Sequence, residues 1–397
     1  MIVKKILLLF LLSLSVLALD VTKQIEVLGN PYKQFYNTKE GIYSRNIWDM
    51  QLFDSKIYLG AGNSSNRGPS SNSGRTPVIF LKPKNNKFYK EYQVAEEQID
   101  LYKVYKSNLY VPGHDATQKW TYGNFYVKSN KKKWNKYRTI PNALHVYDLV
   151  SLNDKLYVGL GFKNNAGVGI SSDNGKTWKI QKLSKGRVYS FIHIGENLFA
   201  INKFKKTSKP YLSVSNLNLK HSNDFFPRFD IKENKMFPNT KLKDKSKKIT
   251  RVTNIKDSVV YLGTYNHNDH QSKPFGVYHA SVINKNLIVN KIKLKHNYIP
   301  RDILVRDDDI YILVGVKKSD MTIVKVLKYN INNINKAKEI LEFRSSTFAR
   351  SFEEYKGDFY FGLGCDVKHS KKWNQKELKV DTGNILKIKN EYIKQGL

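Results

Sequence analysis

The 397-residue chain is 40% hydrophobic and 13% aromatic, which excludes a disordered protein and allows a large buried core. Its 68 Lys and Arg against 34 Asp and Glu leave a formal net charge of +34, but 57 of the basic residues are Lys scattered along the whole sequence with abundant Asn and Ile, the pattern of a solvated surface more than of one polyanion-binding tail. A single cysteine, Cys365, excludes an intramolecular disulfide and an all-cysteine zinc site.

Residues 1–18 open with Lys4 and Lys5, run through an apolar stretch over 6–12 and end on Val16, Leu17 and the small Ala18. This is the layout of a secretory signal peptide, with 19–397 as the mature domain; an uncleaved N-terminal anchor is the alternative. No cysteine follows the apolar stretch to carry a lipid, and no later segment has the roughly 20 uncharged apolar residues that cross a bilayer. The expected location is the periplasm or the medium, where genomic nucleic acid is not a partner and no transmembrane segment remains in the mature chain.

From residue 47 onward one unit recurs seven times: an apolar strand, a tight polar turn, and a second strand ending in an aromatic residue followed by small ones. IWDMQLFDSKIYLGAG from Ile47 and ARSFEEYKGDFYFGLG from Ala349 are the first and last copies. The aromatic anchors are Tyr58, Tyr110, Tyr157, Phe199, Tyr261, Tyr311 and Tyr360, spaced by 52, 47, 42, 62, 50 and 49 residues. That spacing, with apolar alternation of period two, is the length of a four-stranded propeller blade. A second hairpin follows each anchor, as in 78–81 with 88–94 and 124–127 with 134–137. The long fourth interval holds a lysine-rich insertion around 241–248. The last repeat is thin at its outer edge, and residues 23–28 can supply the missing strand. The predicted fold is all-β: a single seven-bladed β-propeller of four-stranded antiparallel blades, its ring closed by the two ends of the chain.

In such a ring the first strand of each blade lines the central channel. Counting ten residues back from each anchor reaches the start of that strand at Trp48, Asp100, Tyr147, Tyr189, Arg251, Arg301 and Arg350. Arg251, Arg301 and Arg350, from three adjacent blades, are expected on one side of the mouth, opposite Trp48, Tyr147 and Tyr189. Guanidinium groups bind carboxylate, sulfate or phosphate through paired hydrogen bonds, and aromatic faces take the apolar side of a sugar. Pairing with neighbouring carboxylates such as Asp49 or Asp302, which would plug the channel, is the alternative. The loops joining second and third strands, at 62–75, 113–122, 265–274 and 365–382, lie on the same face. They carry His114, His267, His270 and His369, and His145 begins an inner strand, a set that could hold a divalent metal such as zinc or copper if the loops converge. Surface histidines bonded to water explain the same residues, and no cofactor is required.

Residues 171–178, Ser-Ser-Asp-Asn-Gly-Lys-Thr-Trp, match the S-x-D-x-G-x-T-W pattern at Ser171, Asp173, Gly175, Thr177 and Trp178. This resembles the Asp box of sialidase-like (BNR-repeat) propellers. The resemblance implies a turn between the third and fourth strands of a blade, with Trp178 packed between blades and no catalytic role for the box. It also implies that an arginine set at the channel mouth holds a substrate carboxylate.

Three functions are compatible with these residues. The first is binding of an anionic ligand, an acidic glycan above all, at the mouth. The second is a sialidase-like glycosidase or lyase on acidic sugars, for which Asp49, Asp100, Asp148, Asp302, Glu353, Glu354 and Tyr355 are the available acid and nucleophile candidates. The third is a protein-interaction scaffold in the envelope. No G-x-S-x-G elbow, phosphate loop or dinucleotide fingerprint is present.

Overall fold

The structure, a computed structural model, describes residues 19–36, 41–64, 72–130, 132–143, 145–162, 165–203, 211–220, 224–242, 247–266, 272–366 and 379–394. The segment expected to be a signal peptide lies outside them. Seven four-stranded antiparallel sheets form the ring. Blade 1 is Asp49–Phe53, Lys56–Gly60, Pro77–Lys82 and Lys87–Gln93, from the channel outward, and blades 2 to 6 follow in chain order with inner strands Lys103–Tyr105, His145–Leu152, Arg187–Ile194, Lys247–Ile255 and Ile299–Arg306. Blade 7 takes three strands from the end of the chain, beginning with Ala349–Tyr355, and its fourth from the beginning: Glu26–Gly29 pairs with Ile385–Ile388, Glu26 opposite Lys387. The expected closure is the observed one.

The first two strands of each blade meet in short turns at residues tolerant of positive φ, such as Asp54 and Ser55 (50° and 56°) and Asn153 and Asp154 (48° and 59°). One apolar cluster fills each of the seven wedges between neighbouring blades, so the core is a set of spokes. Tyr58 faces blade 2, Tyr110 blade 3 and Tyr157 blade 4, and Tyr360 closes the circuit against blade 1. Tyr261 differs. It faces back toward blade 4, stacked on Tyr278 at 5.6 Å, while its neighbours Val260 and Leu262 face blade 6. The anchor of the fifth repeat is displaced by one residue, and a slip of one flips every side chain of a strand.

Four of the inner strands share a defect that decides what lines the channel. Their ladders with the second strands break register between Val146 and Asp148, Val188 and Ser190, Pro300 and Asp302, and Ala349 and Ser351. The extra residue in each β-bulge is Tyr147, Tyr189, Arg301 or Arg350. A bulge turns its extra side chain away from the ladder, so four of the seven positions reached by counting occupy equivalent places. In blade 5 the break spans Thr250 to Thr253 and Arg251 takes φ 53°.

The residue after the bulge in blades 3, 4, 6 and 7, and Asp49 at the start of the regular inner strand of blade 1, tie these five blades to the next. The inner strand is an edge strand, and its channel-side N–H groups have no partner within the blade. Asp49 Oδ2 accepts from Tyr102 N at 2.6 Å, Asp148 Oδ2 from Phe191 N at 2.9 Å and Asp302 Oδ2 from Phe352 N at 3.1 Å. Ser190 and Ser351 occupy the same register and donate instead, to Ile249 O and Ile47 O, each at 2.9 Å.

Residues 171–178 turn between the third and fourth strands of blade 3. Asp173 accepts from Lys176 N, Thr177 N and Thr177 Oγ1 at 3.1, 2.9 and 2.6 Å, and this multiple acceptance holds its carboxyl well below the usual range. Trp178 Nε1 donates to Thr139 Oγ1 of blade 2 at 3.0 Å, and its ring meets Phe125 edge-on. Gly175, at φ 83°, lies against Phe125 so closely that a Cβ would come within 2.2 Å of the ring. Gly175→Ala is therefore expected to destabilise the protein by about 2 kcal/mol or more, read as a lowered midpoint in thermal unfolding; an unchanged midpoint would contradict this packing.

Candidate functional site

The channel is closed at its waist. Arg251 reaches from blade 5 to Asp49 of blade 1 at 2.6 Å and to Asp302 of blade 6 at 3.4 Å, and Lys103 lies 3.5 Å from Asp148. Burial pushes Asp302 up to about 7 against the pull of Arg251, and raises Asp49 also. Arg251 is thus a plug. It does not join Arg301 and Arg350, because the displaced bulge of blade 5 sends its side chain to the two aspartates that stitch the ring.

Above the plug the mouth has two walls. On the first, Arg301 and Arg350 converge on one carboxylate: Arg301 Nη1 to Asp366 Oδ2 at 2.9 Å, Arg350 Nη2 to Asp366 Oδ1 at 3.0 Å. Each guanidinium lies on an aromatic face, Arg301 on Phe348 at 3.6 Å and Arg350 on Trp48 at 4.2 Å. Arg350 is fixed further by Nε donation to Asn46 Oδ1 at 3.0 Å and Nη2 donation to Cys365 O at 2.9 Å. Arg301 Nε is buried and has no hydrogen-bond partner among the described residues. Although burial opposes it, the two guanidiniums hold Asp366 below its ordinary value, and its side chain remains 36% exposed. Trp48 therefore stands with the arginines and not opposite them, because closure of the ring makes blade 1 the neighbour of blade 7.

The second wall comes from blades 2 to 5. Tyr147 and Tyr189 lie with ring centroids 4.4 Å apart, and His114 and His145 flank Tyr147 at 5.1 and 5.2 Å. His114 Nδ1 is 2.9 Å from Asp100 Oδ2, and His145 Nδ1 is 2.6 Å from Asp115 Oδ1 and 3.0 Å from His114 O. Lys248 stands 5.0 Å over the ring of Tyr189. Burial opposes the charge on His114, but Asp100 and then Asp115 prevail and lift it to about 9, while the same partner holds Asp100 far below the carboxylate range. Glu96 and Glu97, between blades 1 and 2, are each pushed up to about 7, chiefly by burial; Glu97 also faces Asp115 and His114.

Of the seven positions read from the sequence, Trp48, Arg301 and Arg350 meet on one wall, Tyr147, Tyr189 and Asp100 on the other, and Arg251 sits in the waist. His114 and His145 are neighbours, His114 set against Asp100 and, at 3.8 Å, Asp115, and His145 against Asp115. Among the described residues no group of three His, Cys, Asp or Glu side chains could hold a metal; His267, His270 and His369 lie outside those residues. Phe348, Asn46 and Lys248 are members of the site that sequence reading did not reach. Phe348 precedes Arg350 by two residues, a spacing that places it at the mouth once the bulge is known.

No protein-family model matches the chain, and no curated protein matches it. Among solved structures it is similar to a chain in the crystal structure of the mitotic checkpoint complex, at 8% identity over 87% of this chain and 90% of that one, with a TM-score of 0.50. It is also similar to the β-propeller domain of the Trilobed protease from Pyrococcus furiosus (9% identity, 82% and 89% covered, TM-score 0.46) and to polysaccharide lyase Uly1 (10%, 93% and 98%, 0.43). At such identities the likeness is one of fold alone and carries no residue correspondence. Among the described residues no helix is long and apolar enough to cross a membrane.

Glu96, Glu97 and Asp302 bind protons more tightly in the folded chain than in the unfolded one, and so does His114. Stability is fully present below the unfolded values and is lost as pH rises through the folded ones, between about 4 and 7 for the carboxyls and between about 6.5 and 9 for the imidazole. Urea denaturation across pH 5 to 9 is expected to give a falling midpoint, and His114→Gln to flatten the upper half of the fall. A midpoint that rises with pH would show the protonation pattern to be wrong.

Proposed function

We propose that the chain is an exported recognition propeller that binds an anionic ligand, an acidic glycan, at the mouth of its closed channel. The observation that carries this reading is the Arg301–Asp366–Arg350 arrangement. Two guanidiniums held flat on aromatic faces converge on one half-exposed carboxylate, which occupies the position and makes the hydrogen bonds that a ligand carboxylate or sulfate would. Asp366 acts as a place-holder that keeps two adjacent cations paired while the mouth is empty. Trp48 on one wall and Tyr189 on the other, both only partly buried, give the mouth aromatic surface for the apolar side of a pyranose ring.

A second reading, acid–base chemistry on the same acidic sugars, draws on the Glu97 carboxyl poised near neutrality beside His114 and Asp115. New reducing ends or an unsaturated chromophore from an acidic polysaccharide would favour it over simple binding.

Titration calorimetry with an acidic disaccharide separates a ligand clamp from a structural ion pair. Removing the place-holder in Asp366→Asn relieves competition and is expected to strengthen binding several-fold, whereas Arg350→Ala is expected to weaken it about tenfold or more, in line with losing one charge-assisted contact. If Asp366→Asn weakens binding as much as Arg350→Ala does, the carboxylate belongs to the site's frame and the place-holder idea fails.

A further inference from the structure

The loop that carries His114 and Asp115 continues outward across blade 2 and ends in two aromatic residues that nothing covers: Trp120 is 63% exposed and Tyr122 44%. The loop is stiff. Val146 N donates to Gly113 O at 2.9 Å, Glu97 N to Asp115 O at 2.8 Å, Thr117 N to Ala95 O at 2.9 Å and Asn142 N to Thr121 O at 2.9 Å. Trp120 is itself oriented by donation from Nε1 to Ala116 O at 3.3 Å. An exposed indole on a fastened loop loses little freedom when it takes a partner.

Cations fasten onto the same loop. Arg138 donates to Lys119 O and Lys136 to Gln118 Oε1, Lys119 itself precedes Trp120, and Arg75 of the neighbouring loop of blade 1 acts on Lys136. Burial depresses the Lys136 ammonium, Arg138 and Arg75 depress it further, and Glu96 opposes the shift. None of Arg75, Lys119, Lys136 and Arg138 has an ion pair among the described residues. The mouth is the opposite case, with Asp49, Asp302 and Asp366 each set against an arginine and Asp100 against His114.

We infer that Trp120 and Tyr122, with Arg75, Lys119, Lys136 and Arg138, form a second subsite at the rim, which takes the distal sugars of an acidic polysaccharide whose terminal unit sits in the mouth. The inference deepens the reading of the mouth and rests on it. Five residues separate Asp115 from Trp120, a span of at most about 18 Å at full extension, so a chain of a few sugar rings connects the two places. Stacking on an exposed indole with cations around it suits a polymer that alternates apolar ring faces with carboxylate or sulfate groups.

Affinity for size-defined heparin and oligogalacturonate fragments of two, four, six and ten sugars, measured by calorimetry on the full mature chain, tests it. The expected result is a gain of about tenfold or more from the disaccharide to the longer fragments. Trp120→Ala is expected to abolish that gain and leave the disaccharide affinity unchanged, and Arg75→Gln with Arg138→Gln to reduce both the gain and its salt dependence. Disaccharide binding with no gain in length, or a gain that survives Trp120→Ala, overturns the rim subsite and leaves the mouth reading standing. Absence of binding at every length overturns both. Oligothymidylate of equal charge binding as tightly as the fragments overturns the choice of a glycan, because stacked bases and phosphates would then satisfy the same residues.

Discussion

The ring depends on how its inner strands, each an edge strand, are paired. Seven edges around a channel present seven rows of N–H and C=O groups that no partner strand can reach, and in five blades the fold answers with one side chain, which in four of them stands just after a bulge. Where that residue is aspartate it accepts the next blade's N–H; where it is serine it donates to the next blade's C=O. The same bulge that frees this residue turns the preceding one into the mouth. The stitching residue and the residue that lines the mouth are therefore adjacent positions of one local motif, and neither can be shifted without the other.

The hub gathers carboxylates in a chain with a large excess of lysine. Carboxylates are scarce, and the hub collects six of them, Asp49, Asp100, Asp115, Asp148, Asp302 and Asp366, around Arg251, Lys103, Arg301, Arg350 and His114. Buried cations need such partners because desolvation would otherwise outweigh any Coulomb gain. The surplus positive charge is left outside, on strands and loops in water, where its cost is small and salt screens it.

The blade count, the strand order and the closure by residues 26–29 were legible because they depend on period-two alternation and a recurring aromatic residue, both local features of sequence. Tyr147, Tyr189, Arg301 and Arg350 were legible for the same reason, since the bulge recurs at a constant distance from the anchor. Arg251 was misplaced because one extra residue in blade 5 moves the bulge, and no nearby composition marks it. Trp48 was set on the wrong wall because linear order hides that first and last blades touch. Asp366 as the partner of two arginines could not be read at all: the contact joins a loop to two strands, and only three-dimensional closure decides which of several acidic residues arrives there.

Closure by the first strand has a consequence for how the molecule is made. Glu26–Gly29 leaves the ribosome before any blade exists, yet its partner Ile385–Ile388 follows every other strand of the ring. The wheel cannot lock until that strand has emerged, so the nascent chain stays an open arc whose terminal edge is unpaired. The step that makes the structure rigid is thereby reserved for a chain that holds both strands, and losing either one leaves blade 7 open.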